Sequence, residues 1–169
     1  MTGSGGAWHL AEEKGVPPNH IETLRRERNE LYRDLLYGRS HAIDGVEDVL
    51  QKLRPLYTMA VVTSSWKEDF ELIHRSTHFL RYFDFVLTRE DYGRSKPNPE
   101  PYLRALQMSG VRAPEALAIE DSERGLTAAK RAGLPCWVIP TKLTEKGDFS
   151  SADRVLNHVS EVVSLLLNL

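Results

Sequence analysis

A second cysteine is missing from this chain of 169 residues, and its absence excludes both an internal disulfide and a zinc site built on paired thiolates. The one thiol, Cys136, lies in the short apolar run Pro135-Cys136-Trp137-Val138-Ile139. With no base evident nearby, it is expected to pack as a small hydrophobe rather than react. Long hydrophobic runs are missing too. No stretch approaches the roughly 20 apolar residues of a membrane-spanning helix. The N-terminus also has no signal-peptide core, so the expectation is a cytoplasmic protein with no membrane partner. Neither sign of charge dominates, with 22 Lys and Arg against 24 Asp and Glu and a formal net charge of −2. That balance leaves no electrostatic footprint for nucleic acid. The richest basic run, Arg25-Arg26-Glu27-Arg28, is interrupted by acid and reads as the solvated face of a helix. Internal repeats are absent.

What is present is alternation. Asn19, three residues before Glu22, has the spacing of a capping box, and Ile21, Leu24, Leu31, Leu35 and Leu36 then share one helical face. Gly38 is placed to end that helix. A second helix follows, with Val46, Val49, Leu50 and Leu53 at i, i+3, i+4 and i+7. Beyond it, expected strands at residues 58–62, 83–87, 116–119 and 135–139 alternate with expected helices at 66–75, 100–108 and 125–132. A last helix is expected at 159–167. Strands separated by helices imply an α/β domain with a parallel sheet covered on both faces, whose ligands bind beyond the carboxyl ends of the strands. The first 40 or so residues read as all-helical, which divides the chain into residues 1–42 and 43–169.

Three of the strand ends carry polar residues. Val62-Thr63-Ser64-Ser65-Trp66 offers hydroxyls and backbone N–H groups leading into a helix, which suits a phosphate oxygen and equally suits an ordinary helix cap. In Arg94-Ser95-Lys96-Pro97-Asn98-Pro99, the prolines fix the backbone beside Lys96 and make that lysine a positioned charge for an anion, or else a solvated one. Glu120-Asp121-Ser122 places two carboxylates at a strand end. They form either an all-oxygen site suited to Mg²⁺ or an acidic pair before the next helix.

Thr63, Lys96-Pro97-Asn98-Pro99 and Glu120-Asp121-Ser122, in this order, resemble the second, third and fourth motifs of the haloacid dehalogenase superfamily. The chain is most similar to the branch of phosphoglycolate phosphatase and β-phosphoglucomutase. The resemblance runs from about Trp8 to the C-terminus. Residues 42–46 resemble the segment where that branch leaves its helical cap, and residues 23–28 the back half of the cap. It implies a three-layer Rossmann-like core after a partial helical cap, and Mg²⁺-dependent phosphoryl transfer from a small phosphorylated metabolite through an aspartyl-phosphate. By motif, Thr63 and Ser64 would bind the phosphate and Lys96 would neutralise its charge. Glu120 and Asp121 would hold the metal, directly or through water, with Ser122 in support. Such chemistry is mostly positioning and electrostatics.

The family's first motif, a strand ending in Asp-x-Asp that supplies the nucleophile, has no counterpart among these residues. The nearest candidate, Asp44-Gly45-Val46-Glu47-Asp48, has Val where the second aspartate should stand and lies at a helix start. No nucleophile is therefore assigned. In the family this strand lies between those of Thr63 and Glu120, so the central strand is expected to be missing, and either those two strands close up or the gap remains with two inner edges unpaired. An N-terminally shortened, inactive or impaired hydrolase is expected. The alternative is a non-catalytic remnant that binds phosphate or Mg²⁺ or acts through a partner. A phosphoacceptor receiver domain is disfavoured, because there the acids precede the threonine. His74 and His78, at i, i+4, have the spacing of a zinc pair without a third ligand. Trp66, Arg25 and Arg28 are weaker candidates for substrate contact.

Overall fold

The structure, a computed structural model, describes residues 11–36, 42–75 and 77–167. It divides into two compact units, residues 1–41 and 42–169. In the first, α1 spans Pro18–Leu36. Its start is set by proline rather than by Asn19: the N–H groups of His20 and Ile21 both bond to the carbonyl of Pro17, at 2.9 and 3.0 Å. Asn19 already lies inside the helix, where its carbonyl accepts from the Thr23 hydroxyl at 3.0 Å. A proline in the first turn loses no intrahelical bond, which is why this start displaces the expected cap. Of the expected apolar face, Ile21 is buried and Leu24, Leu31 and Leu35 are exposed. Gly38 lies outside the described residues.

In the second unit, α2 (Val46–Leu53) begins at Gly45, whose φ of 71° is a left-handed conformation that glycine adopts without strain. Asp44 is thus in a turn before a helix and not at a strand end. There follow β1 (Ala60–Val62), α3 (Lys67–His74), β2 (Phe85–Leu87), α4 (Glu100–Ser109), β3 (Ala118–Glu120), α5 (Glu123–Arg131), β4 (Cys136–Val138), β5 (Arg154–Val155) and α6 (Ser160–Leu167). All pairing is parallel. The two exposed residues of β5 carry no apolar alternation, so no sequence pattern marks that strand.

Layering follows from alternation along β4, in which every residue is buried. Cys136 and Val138 face a core shared with Tyr102 of α4 and Leu126, Ala128 and Ala129 of α5. Trp137 faces the other way, into a core with Val49 and Leu53 of α2 and Val162 of α6. Helices thus cover both faces of a parallel sheet, as an α/β Rossmann-like fold requires. Among the described residues the sheet is in two pieces, however: β1 pairs with β2, and β3 pairs with β4, which pairs with β5. Among the described residues no backbone hydrogen bond joins β1 to β3. The expected helical His pair also dissolves. Helix α3 ends at His74, and His78 stands beyond it at a φ of 55°. The His74 ring instead packs on Phe70, with centroids 4.3 Å apart, and lies 3.4 Å from the Thr77 hydroxyl.

Candidate functional site

The carboxyl ends of β1 and β3 meet at one side chain. Lys96 Nζ donates to the carbonyl of Val62 at 2.9 Å, pairs with Glu120 Oε1, and lies 3.4 Å from the Tyr102 hydroxyl. The ion pair is buried, with 12% of the lysine side chain and 6% of the glutamate side chain exposed. In so sheltered a place a charge without a partner is costly, so the two side chains fix each other. The Tyr102 hydroxyl also donates to Glu120 Oε1. Burial and then the glutamate's charge raise the phenol far above its ordinary range, which keeps it protonated as a donor.

The loop that presents Lys96 is held from several sides. Its Lys96–Pro97 peptide bond is cis. The carboxylate of Glu100 accepts from the Gly93 and Arg94 N–H groups at 2.6 and 3.1 Å, and from Arg94 Nε at 3.1 Å. Asn98 Oδ1 accepts from the Glu100 N–H at 3.0 Å, at the start of α4. From α5, Arg124 donates to the Lys96 carbonyl and Arg131 to that of Pro97, the latter at 3.3 Å. Tyr102, Glu100 and Arg124 are the residues sequence reasoning missed. In the sequence Tyr102 reads as a core aromatic, and the other two as surface charges.

Thr63 continues the β1 ladder through its N–H to the Leu87 carbonyl at 2.9 Å, and its own carbonyl accepts from the Tyr92 hydroxyl at 2.7 Å. Thr63 Oγ1 accepts from the Ser65 N–H at 3.1 Å, which leaves its O–H to donate elsewhere. Ser64, next in line, is exposed. At the start of the helix that follows, the first N–H is already engaged. Both oxygens of Glu90 accept from the Lys67 N–H at 3.1 Å, so a carboxylate from another element takes that donor at the start of α3. Trp66 is exposed beside it, with the Arg89 guanidinium 5.7 Å from its ring centroid.

The two strand-end acids have separate environments. Glu120 points into the core towards Lys96 and Tyr102 and packs against α5. A Cβ on Gly125 would overlap the Glu120 carboxylate, so any larger residue there must push that side chain out of its pairing. Asp121 is exposed and its carboxylate has no hydrogen bond or ion pair among the described residues. Ser122 caps α5, its Oγ accepting from the Gly125 N–H at 3.2 Å. This all-oxygen donor set suits Mg²⁺, which needs only one or two carboxylates and completes its shell with water and phosphate oxygens. The exposed Asp121 fits as a direct ligand and the engaged Glu120 as an outer one. Among the described residues no cluster of three or more His, Cys, Asp or Glu side chains could hold a metal alone. Cys136 lies near Glu120 but offers no reactive thiol. Its thiol is buried and pushed up to about 12 by burial and then by Glu120, so it is inert at neutral pH.

Comparison with known proteins accords with this geometry. The family described as haloacid dehalogenase-like hydrolase matches residues 6–139. YhcW of Bacillus subtilis (strain 168) is 35% identical over 94% of this chain and 72% of its own length. The protein CbbY of Cereibacter sphaeroides is 33% identical over 98% of this chain and 76% of its own. Among solved structures, an Asp-to-Asn mutant of CbbY from Rhodobacter sphaeroides in complex with xylulose-(1,5)-bisphosphate superposes with a TM-score of 0.76. It is 31% identical and covers 86% of this chain and 67% of that one. With the strand-end Thr63, Lys96 and Glu120-Asp121 placed as described, the chain belongs to the haloacid dehalogenase-like hydrolase family.

Proposed function

We propose that this chain carries the phosphate-binding and metal-binding half of a Mg²⁺-dependent site for small phosphomonoesters. The observation that carries the reading is Lys96, held between the Val62 carbonyl and Glu120 where β1 and β3 end, with Thr63 directly after Val62. A phosphoryl group placed there receives the Thr63 O–H and the Ser64 hydroxyl as donors and Lys96 as a counter-charge. Asp121 would hold Mg²⁺, with Glu120 behind it. When bound, the metal would neutralise the phosphoryl oxygens. Glu120 and Tyr102 keep the ammonium of Lys96 aimed, and Arg124 and Arg131 keep its loop in place. The complex of the relative CbbY with a sugar bisphosphate supports a small phosphorylated metabolite as the ligand class.

Among the described residues, Asp121 is the only aspartate that directly follows a strand, and in this reading it is a metal ligand. Nothing described is left to attack phosphorus, so this chain is expected to bind phosphate but to turn it over poorly. The open edges of β1 and β3 favour a second reading, a non-catalytic phosphate-binding protein that acts through a partner. An aryl phosphate assay of the 169-residue chain, with and without Mg²⁺, tests the first reading. Negligible release in both conditions is expected. Metal-dependent turnover abolished by Asp121→Ala would contradict the impairment.

A further inference from the structure

Between β2 and the Lys96 loop, the chain makes a single tight turn at Arg89–Asp91. The turn is closed on itself by Asp91 Oδ2, which accepts from the Thr88 N–H at 2.7 Å and from the Thr88 hydroxyl at 3.0 Å. From this turn and the residue after it, four groups reach the segment that follows β1. The Tyr92 hydroxyl donates to the Thr63 carbonyl at 2.7 Å, and the Arg89 N–H donates to the Ser65 carbonyl at 2.9 Å. The Arg89 guanidinium stands over the Trp66 ring, and Glu90 takes the Lys67 N–H. The arm that carries Thr63 and Ser64 is thus gripped at four points from outside.

Arg89 also reaches the other arm. Its Nη1 donates to the Tyr92 carbonyl at 2.8 Å and its Nη2 to the Gly93 carbonyl at 3.4 Å. The guanidinium carbon lies 5.5 Å from the centroid of the Tyr92 ring and 5.7 Å from that of Trp66, so one cation touches both rings. Gly93 is held at both ends, its N–H by Glu100 and its carbonyl by Arg89, three residues before Lys96. Among the described residues no carboxylate pairs with Arg89, so what keeps it here is carbonyls and rings. A planar fork can meet two neighbouring carbonyls while it stacks, and a lysine cannot.

We propose that Arg89 is a positioning residue for the phosphoryl group: its guanidinium, with Tyr92, sets where the Thr63-Ser64 arm stands relative to the Lys96 loop. The inference rests on the phosphate reading above. A phosphate must meet hydroxyl donors from one arm and the ammonium of the other at the same moment. Drift between the arms therefore costs affinity even when every contacting group is still present. Arg89 acts through Thr63 and not by touching the ligand, and that difference can be measured.

The test is a titration of the 169-residue chain with inorganic phosphate in the presence of Mg²⁺, read by amide chemical shifts, in a double-variant cycle of Arg89→Lys and Thr63→Val. Arg89→Lys keeps the charge and loses the fork, and should weaken phosphate about tenfold in the wild-type background. In the Thr63→Val background the same change should weaken it by no more than about threefold, because the group it positions is already gone. Tyr92→Phe removes only the anchor on the Thr63 carbonyl, and stands in for Arg89→Lys if that variant does not fold. It should weaken phosphate in the same Thr63-dependent way. A wild-type chain with no saturable shifts overturns the phosphate reading and this inference with it. A wild-type chain that binds, matched in affinity by Arg89→Lys, or by Tyr92→Phe in its stead, overturns the inference alone. Equal weakening in both backgrounds does so too, since it marks a general structural role.

Discussion

Lys96 and Glu120 make the most demanding contact in the molecule, because each is sheltered and each is charged. Removing one partner strands the other, at a cost of about 3–5 kcal/mol, whereas replacing both by apolar residues costs much less. Lys96→Met and Glu120→Leu should therefore each destabilise strongly in urea unfolding, and the double variant by clearly less than their sum. An additive double variant would mean that the pair is not coupled. Gly125→Ala is the second test at this scale. Its methyl group would occupy the place of Glu120 Oε2, so a loss of about 1–3 kcal/mol is expected, with the Lys96 contact disturbed. The sequence made Lys96 and Glu120 visible through motif spacing. It could not show that Glu120 faces inward and Asp121 outward, because two adjacent acids at a strand end look alike until the helix behind them is in place. Tyr102 was hidden for a related reason, since a tyrosine in an amphipathic helix carries no mark that its hydroxyl will reach a carboxylate 18 positions away.

Helices were more legible than strands. The i, i+3, i+4, i+7 pattern at Val46, Val49, Leu50 and Leu53 matches α2, while each strand is three residues or fewer, too short for period-two alternation to register. Capping was the weak point. Asn19 has a capping residue's identity but Pro17 and Pro18 set the start of α1, and the first N–H of α3 is taken by Glu90, 23 residues from the N–H it accepts. A cap that comes from another element leaves no local signature. Gly45→Ala tests the start of α2. Forcing a side chain into that left-handed conformation should cost about 1–2 kcal/mol, seen as a lower thermal midpoint with the site residues unmoved. Glu90→Gln should loosen the first turn of α3 and raise amide exchange there, since the Lys67 N–H loses a charged acceptor.

At the scale of the whole molecule, stability should fall towards acid. Asp153 is held below the usual carboxylate range by the hydrogen bond from Lys130 and that from the Cys136 N–H, and Glu100 by the Gly93 N–H and by Arg94. A carboxyl group whose folded value is depressed stabilises fully above its unfolded value, near 4, and loses that contribution as pH falls through the folded value. His74 acts in the same direction, because burial lowers it and favours the neutral ring, so its contribution fades as pH drops below about 6.5. Urea midpoints should thus hold near neutrality, decline modestly below about pH 6.5 and steeply below about pH 4. Asp153→Asn should flatten the lower part of that curve. The architecture itself was largely predictable from alternating strands and helices, whereas the unpaired edges were one of two outcomes implied by the family resemblance. That the sheet stays in two pieces, with Lys96 between them, needed coordinates, because collapse of β1 onto β3 satisfies the same sequence pattern. The central claim is that the ends of β1 and β3 form a phosphate site strengthened by Mg²⁺. Titration of the ¹⁵N-labelled chain with inorganic phosphate, followed by amide chemical shifts, tests it most directly. The account predicts saturable shifts at Thr63, Ser64 and the Lys96 loop, tighter with Mg²⁺ and lost that gain in Asp121→Asn. Shifts elsewhere, or none at these residues at millimolar phosphate with Mg²⁺ present, would contradict it.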